Sequence, residues 1–199
     1  MYNDIITEKS WKKLQELKRR YSFVLIGGWA VYCYARGLKS RDIDFICSYD
    51  ELQKLKMSYE LIKNDRLKKY EIHVGEFDID IYVPFFSKLG IPVEHLMELT
   101  TMREGFKVLI PEALLILKQY AYKDRVGSAK GEKDRLDILA MAMTDLDIGH
   151  YRTLAQQYHL DDFLSEFRRV VQETRAVPEL GVNEYAFSKI KKRLLASLG

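Results

Sequence analysis

Acidic residues occupy every second position in two segments whose remaining residues are apolar. Asp42 and Asp44 stand in DIDFIC, and Asp78 and Asp80 stand in FDIDIYV. Because alternate side chains of a β-strand lie on the same face, each pair would project from one face, about 7 Å apart along the strand. Like charges placed together raise one pKa, and partial burial raises both. Two explanations fit: carboxylates that face solvent, or carboxylates whose repulsion a divalent cation removes.

The second explanation has a well-defined chemistry. Mg²⁺ prefers hard oxygen ligands and usually binds one or two carboxylates together with substrate phosphates. Two such ions about 3.5–4 Å apart can activate an attacking hydroxyl and stabilise the leaving oxygen of an in-line phosphoryl displacement. A two-ion site usually uses a third carboxylate, for which Asp78 and Asp80 are the candidates. Acidic residues inside two separate apolar strands are poorly explained by folding alone.

A glycine pair precedes the first acidic strand. The apolar run Phe23–Ile26 ends at Gly27 and Gly28, and an apolar helical pattern continues from Trp29 to Arg36. In a strand, turn and helix of this kind, backbone N–H groups at the helix N-terminus can approach a triphosphate. The pair lacks the spacing of a Rossmann site or a P-loop, so neither is predicted. An ordinary turn is the alternative interpretation.

The first half of the chain has a mixed α/β pattern, and the second half is almost entirely helical. The predicted elements are helix 8–20, strand 23–26, helix 29–36, strand 43–47, helix 51–63, strands 70–74 and 76–83, and helices 112–125, 132–144, 148–159, 161–174 and 183–198. The segment GSAKG, residues 127–131, is predicted to be a flexible link. This order predicts an α+β fold, with a small mixed-sheet domain over residues 1–105 and a helical lobe over residues 106–199. A cleft between two lobes is a common ligand site.

Composition narrows the class of protein. A chain of 199 residues with 47% hydrophobic content can bury a core, and a net charge of +3 does not by itself indicate a nucleic-acid binder. Cys33 and Cys47 have no disulfide or zinc spacing and are predicted to be reduced core residues, which suits a cytoplasmic protein. The N-terminus lacks an apolar signal region, and no run approaches the roughly 18 apolar residues of a membrane span. We therefore expect neither secretion nor membrane insertion.

The glycine pair and the acidic residues together resemble the nucleotidyltransferase superfamily typified by DNA polymerase beta. The pattern is Gly27-Gly28, thirteen intervening residues, then Asp42 and Asp44, and later Asp80. The resemblance covers residues 23–83 and implies a nucleotidyltransferase domain that moves an NMP from an NTP to an acceptor hydroxyl, releasing pyrophosphate. It implies that the three aspartates bind two Mg²⁺ ions and that Asp80 also helps to deprotonate the acceptor.

The resemblance leaves Asp78 and Asp80 as competing third carboxylates. Asp80 is preferred because apolar residues follow it as the strand ends, as in the family pattern.

Within that superfamily the chain is most similar to the minimal AbiEii/MenT-like toxin nucleotidyltransferases. It contains GGWA, then Arg36 and SRDID, and later Lys118 in ILKQYAYKDR followed by KDRLD at residues 133–137. The family serine after the first glycine is replaced by Gly28, which leaves phosphate contact to backbone groups. The residues that the resemblance assigns to the nucleotide are Gly27, Gly28, Arg41, Lys118 and Arg125.

Two residues of the second half receive specific roles from the resemblance. Lys118 would hold the triphosphate, and Asp134 would orient Lys118 or Arg125. Helical spacing adds that Lys118, Tyr122 and Arg125 share one face of a helix. The alternatives are a solvated surface lysine for Lys118 and, for Asp134, a carboxylate that stabilises a helix N-terminus.

The second substrate stays open at this point. The acceptor could be a tRNA 3' end, a protein side chain or a small molecule, and a toxin of this type would have a cognate antitoxin. Two other hypotheses are an aminoglycoside-type adenylyltransferase and a non-catalytic relative that binds a nucleotide or a partner.

Overall fold

The computed structural model describes residues 4–199, and these divide into two units of different composition. The first unit contains the described residues up to Cys33 together with Lys39–Ile110. The second contains Tyr34–Leu38 together with Pro111–Gly199. The first unit mixes strands and helices, and helices make up most of the second.

The strands of residues 4–199 are all in the first unit. They are β1 (Val24–Ile26), β2 (Ile43–Ile46), β3 (Ile62–Asn64), β4 (Lys69–Val74), β5 (Phe77–Tyr82), β6 (Lys88–Leu89), β7 (Ile91–Pro92), β8 (Thr100–Arg103) and β9 (Phe106–Leu109). Seven of these described strands form a mixed sheet in the order β3-β4-β5-β2-β1-β9-β8, and β6 pairs with β7. Strands β2 and β5 are parallel neighbours, so the two acidic segments lie side by side.

Helices connect the strands and form the second unit. In the first unit they are α1 (Asp4–Arg20), α2 (Gly27–Ala35), which extends into the second unit, α3 (Tyr49–Lys56) and α4 (Val93–Leu96). In the second unit they are α5 (Pro111–Lys123), α6 (Ala129–Ala142), α7 (Ile148–Gln157), α8 (Asp162–Glu173), a 3-10 turn (Pro178–Leu180) and α9 (Glu184–Leu198). The N-caps of α3, α6, α7 and α9 each accept a backbone N–H through a side-chain oxygen, which satisfies a donor that the helix leaves open.

One face of the large sheet is a continuous apolar surface. Leu25, Ile43, Phe45, Ile79 and Ile81 are all inaccessible to solvent. They occupy matched positions on β1, β2 and β5, so their side chains project from the same face. Burial of each such side chain is worth about 1.5–3 kcal/mol. A slip of one residue would bring the aspartates into this core, and the apolar face therefore fixes the register of the acidic residues.

The structure confirms the predicted fold class and several local features. The fold is α+β, the predicted strands 70–74 and 76–83 correspond to β4 and β5, and the predicted helix 112–125 corresponds to α5. Both cysteines are free and buried, and burial raises the pKa of the Cys47 thiol to about 12. Among the described residues, no helix combines the length and apolarity that crossing a membrane requires.

Two local predictions are wrong. The predicted helix 51–63 ends at Lys56, and Ile62–Asn64 forms β3 because its backbone pairs with β4. Tertiary pairing of this kind overrides a helical pattern. The predicted link 127–131 is also shorter, since Ser128 caps α6 and the helix begins at Ala129.

The hairpin of β8 and β9 had no counterpart among the predicted elements. It turns at Glu104 and Gly105, both of which have positive φ. The turn coincides with the predicted domain division between residues 105 and 106, and both strands belong to the first unit.

A buried polar chain links three helices of the second unit. The Tyr151 hydroxyl donates to Gln119 Oε1 at 2.6 Å, and Gln119 Nε2 donates to the carbonyl oxygen of Phe163 at 2.8 Å. Tyr151 and Gln119 are inaccessible to solvent. Because buried amide groups are costly when unpaired, this chain fixes the contacts of α7 and α8 with α5.

Tyr151→Phe tests this contribution. Removing the hydroxyl leaves the Gln119 oxygen without this donor, and we expect the free energy of unfolding to fall by about 1–2 kcal/mol. Urea unfolding followed by circular dichroism measures the change. Tyr185→Phe on α9 is the control, since Tyr185 is 71% exposed and should lose less than about 0.5 kcal/mol. Equal losses in the two variants would contradict the role given to the Tyr151 hydroxyl.

Candidate active site

A row of carboxylates crosses three neighbouring strands of the large sheet. Asp44 on β2 is the register partner of Asp80 on β5, and Asp80 is the partner of Glu71 on β4. Neighbouring strands lie about 4.8 Å apart, and register partners project from the same face. Asp44, Asp80 and Glu71 therefore line up on the face opposite the apolar core. We call these three residues the acidic row.

A lysine neutralises part of this row. The Lys69 ammonium is 2.6 Å from Asp80 Oδ2 and 2.9 Å from Glu71 Oε1, and its side chain is 12% exposed. The side-chain amide of Asn64 donates to the same Glu71 oxygen at 3.1 Å. Three strands thus contribute to one hydrogen-bonded cluster of Asn64, Lys69, Glu71 and Asp80.

Burial and charge act against each other in this cluster. Burial raises the pKa of Asp80, although the Lys69 ammonium opposes the shift, while the carboxylates of Glu71 and Asp42 add to it. Burial disfavours the charged form of Lys69, but the hydrogen bonds to Asp80 and Glu71 outweigh it and raise the pKa of the amine. Burial likewise acts against the Glu71 carboxylate, but Lys69 holds its pKa below the ordinary value. Asp80 is therefore the group in this cluster whose carboxyl holds a proton more readily than an ordinary aspartate.

The other two aspartates of the acidic segments have different partners. Asp42 Oδ1 accepts the backbone N–H of Asp78 at 3.2 Å and the Arg41 Nε–H at 3.1 Å, which ties it to β5. The Asp78 carboxylate is 2.6 Å from His73 Nδ1 and raises the pKa of that exposed histidine. The two acids on β5 therefore differ: Asp80 is the register partner of Asp44, whereas Asp78 pairs with the exposed His73.

The glycine turn is in direct contact with the acidic row. Gly27 has φ +66°, and a Cβ built on it would lie 2.2 Å from Asp44 Oδ2. Ile26, immediately before it, is the register partner of Asp44. The absence of a side chain at residue 27 therefore makes room for the carboxylate, and it leaves the N-terminal amides of α2 next to the acidic row.

Gly27→Ala tests this contact. The new methyl group would collide with Asp44 and would occupy a backbone conformation that alanine disfavours, so we expect a loss of about 3 kcal/mol or more. Gly75→Ala is the matched control because Gly75 has φ +59° and a Cβ added to it would meet no atom within 4 Å, so only a backbone cost of about 1 kcal/mol is expected. Thermal or urea unfolding of both variants measures the difference. Equal destabilisation would show that the collision with Asp44 has no cost.

A second charged cluster lies within the helical unit. Lys118 on α5 is 7% exposed, and its ammonium is 2.7 Å from Asp137 Oδ2 and 3.4 Å from Asp134 Oδ1. Arg125 Nη2 is 3.4 Å from Asp134 Oδ2, and Lys133 Nζ is 3.6 Å from Asp137 Oδ2. Three cations and two carboxylates thus form one network between α5 and α6.

The surroundings of Lys118 and Asp134 bear on the alternatives considered from the sequence, a solvated surface lysine and a carboxylate at a helix N-terminus. Lys118 is buried and ion-paired, so it is not a solvated surface lysine. Asp134 contacts the side chains of both Lys118 and Arg125. Asp137 had no predicted role, although it ends the KDRLD segment and is only 1% exposed.

Asp137→Asn tests how much this network stabilises the helical unit. The substitution leaves the buried Lys118 ammonium with less compensating charge, and we expect a loss of about 2–4 kcal/mol in urea unfolding. Asp162→Asn is the control, since it removes the exposed pair with Lys123, and such a pair is worth less than about 1 kcal/mol. A loss for Asp137→Asn no greater than that of the control would mean that the network does not stabilise the fold.

The structure groups the predicted site residues by unit. Within the first unit it brings together Gly27, Asp44 and Asp80, and Asp42 accepts one hydrogen bond from β5 and one from Arg41. Gly28 follows as a buried residue in the first turn of α2. The remaining predicted residues, Lys118, Arg125 and Asp134, belong to the second unit.

Sequence reasoning assigned no role to Lys69 and Glu71. A signal was present, since KYEIHV has charged or polar side chains at alternate positions, the same period as the two acidic segments.

The carboxylates of the acidic row belong to the ligand class that binds Mg²⁺. Carboxylate oxygens are ligands that Mg²⁺ prefers, and Asp44 and Asp80 supply them from adjacent positions beside the glycine turn. Over residues 4–199, no three His, Cys, Asp or Glu side chains are grouped as they would be around a metal ion. Arg41 and Lys69 are the cations that contact Asp42 and Asp80.

Comparison with known proteins shows that this chain is similar in fold to proteins of known structure. No protein-family model matches the sequence, and no curated protein matches it. Among solved structures, JHP933 from Helicobacter pylori matches with a TM-score of 0.53 and 15% identity, over 100% of this chain and 94% of that one. A candidate nucleotidyltransferase from the same bacterium matches with a TM-score of 0.55 and 16% identity, over 99% and 96% of the two chains. The chain therefore has the fold of these proteins.

Proposed function

We propose that the chain is a Mg²⁺-dependent nucleotidyltransferase that moves an NMP from an NTP to an acceptor hydroxyl. The observation that carries the proposal is the register pairing of Asp44 with Asp80 against the Gly27 turn. A solved protein that shares the fold is named as a candidate nucleotidyltransferase, which supports the same reaction class. A purely structural role would not require neighbouring carboxylates on adjacent strands next to the N-terminus of a helix.

The acidic residues would divide the work of binding and proton transfer. Asp42, Asp44 and Asp80 would hold two Mg²⁺ ions, which when bound supply charge neutralisation for the phosphates and the attacking oxygen. Asp80 would also accept the proton of the acceptor hydroxyl, the role that the resemblance assigns to it. The acceptor oxygen would form a bond to the α-phosphorus while the bond between the α-phosphorus and the oxygen bridging to the β-phosphate breaks. Pyrophosphate would leave with the electron pair of the broken bond.

The glycine turn would bind the nucleotide through its backbone. Gly27 and Gly28 begin α2, and the N–H groups at a helix N-terminus favour phosphate oxygens. Since residue 28 has no hydroxyl, these contacts would come from the main chain. Arg41, beside Asp42, would add positive charge near the same phosphates.

The finer subtype that we propose is a toxin-like enzyme of the AbiEii/MenT-like kind, active in the cytoplasm and held in check by a cognate antitoxin. Its support is the order of GGWA, SRDID, Lys118 and KDRLD along the chain. By the same resemblance Lys118 would hold the triphosphate, and Asp134 would orient Lys118 or Arg125, with both of which it forms ion pairs. The acceptor would be a tRNA 3' end, a protein side chain or a small molecule.

A labelling assay with Asp44→Asn tests the proposal. Transfer from each α-labelled NTP should require Mg²⁺ and should fall about a hundredfold or more in the variant, because a charge that stabilises the reacting phosphate is lost. Asp78→Asn is the matched control on the neighbouring strand, and it should retain transfer within a few-fold because Asp78 contacts exposed His73. Circular dichroism checks that both variants fold.

The same assay distinguishes the alternatives. Offering tRNA, a protein mixture and aminoglycosides as acceptors separates the toxin-like enzyme from an antibiotic adenylyltransferase. Undiminished Mg²⁺-dependent transfer by Asp44→Asn would refute the site. Absence of transfer with every acceptor, together with tight NTP binding in calorimetry, would favour a non-catalytic relative.

A further inference from the structure

One ammonium serves two carboxylates at the centre of the acidic row. Lys69 Nζ is 2.6 Å from Asp80 Oδ2 and 2.9 Å from Glu71 Oε1, distances typical of charge-assisted hydrogen bonds. Lys69 and Glu71 are two positions apart on β4, so they share a face, and Asp80 lies directly opposite Glu71. Lys69 therefore contacts the carboxylate that the proposed function assigns to a metal ion.

A metal ion and this ammonium would compete for the same group. A divalent cation bound to Asp80 would lie a few ångströms from Lys69, and at that distance like charges repel strongly in a partly buried site. Lysine carries its charge on a flexible stem of four carbons, so the ammonium can move without a change in the backbone. What this movement requires is a second anionic partner within reach.

Glu71 meets that requirement. It is already in contact with Lys69, and the Asn64 amide holds the same Glu71 oxygen at 3.1 Å. Both Lys69 and Glu71 are largely removed from solvent, with side-chain exposures of 12% and 17%. An ammonium that leaves Asp80 would therefore remain paired, and it would not become an isolated buried charge.

We propose that Lys69 is a positioning residue that holds Asp80 before the metal binds and passes entirely to Glu71 when the metal arrives. Lys69 thus acts as an internal cation that lowers the metal affinity of the site and keeps the metal-free fold stable. This proposal rests on the metal-binding part of the proposed function.

Mn²⁺ alone, added without nucleotide, is the probe for this exchange. Free Mn²⁺ is counted from its electron paramagnetic resonance signal as the ion is titrated into the full chain. Lys69→Met keeps an unbranched side chain that is one atom shorter and removes its charge, so the variant should bind Mn²⁺ about tenfold more tightly. Its melting temperature in EDTA should be lower than that of the unaltered chain, and added Mn²⁺ should raise it more.

The matched control is Lys63→Met on β3. Lys63 is 48% exposed and pairs with Asp65 in the adjacent turn, so its loss should leave Mn²⁺ affinity unchanged. Unchanged or weaker Mn²⁺ binding by Lys69→Met would overturn the proposal, because a competing cation must weaken binding.

Two further variants keep the test decisive if Lys69→Met folds poorly. Glu71→Gln removes the second partner and should weaken Mn²⁺ binding several-fold, because Lys69 then stays on Asp80. Lys69→Arg should also weaken it, since arginine holds a carboxylate with two hydrogen bonds. Stronger or unchanged binding in Glu71→Gln would refute the transfer to Glu71.

Asp44→Asn distinguishes failure of the proposed metal site from failure of the proposed movement of Lys69. If the unaltered chain binds no Mn²⁺, the metal-binding part of the proposed function fails and the role of Lys69 fails with it. If Asp44→Asn abolishes binding while the Lys69 and Glu71 variants match the unaltered chain, the metal site stands and only the exchange is refuted.

Discussion

The parallel pairing of β2 with β5 is the interaction on which the candidate site depends. It brings together two segments that are more than thirty residues apart and sets Asp44 opposite Asp80. The apolar residues between the aspartates determine that register, because they are buried on the other face of the sheet. Burial of apolar residues that take no part in the proposed reaction therefore stabilises this pairing. The same pairing holds Asp44 and Asp80, the proposed reactive residues, in place.

Basic side chains of the chain itself neutralise several of its carboxylates. Arg41 and Lys69 contact aspartates of the sheet, and Lys118 is buried between two carboxylates of α6. A carboxylate removed from water is unfavourable unless a cation or hydrogen-bond donors accompany it. Each unit thus keeps its acidic residues stable through its own basic side chains.

The sequence was sufficient for those parts of the site that follow a local pattern. Alternating acidic residues predicted the two strands, and the glycine pair predicted the entry to α2. The role of Lys69 and Glu71 was missed because it depends on which strand lies next to β5, and a pattern within one segment does not give strand order. For the same reason β3 was assigned to a helix, since its conformation is set by pairing with β4. The second unit shows the same limit, because helical spacing placed Lys118 and Arg125 on one face without showing that α6 would supply two carboxylates to the buried amine.

The contact between Gly27 and Asp44 links the histories that the two positions can have. A Cβ at residue 27 would lie 2.2 Å from Asp44 Oδ2 and 2.7 Å from Asp44 Cβ, so even an alanine at position 44 would leave no space for a side chain at position 27. The φ of +66° at Gly27 disfavours a side chain there as well. A descendant that lost the acid but kept this strand and turn would therefore keep the glycine, and a single substitution back to aspartate would restore the contact.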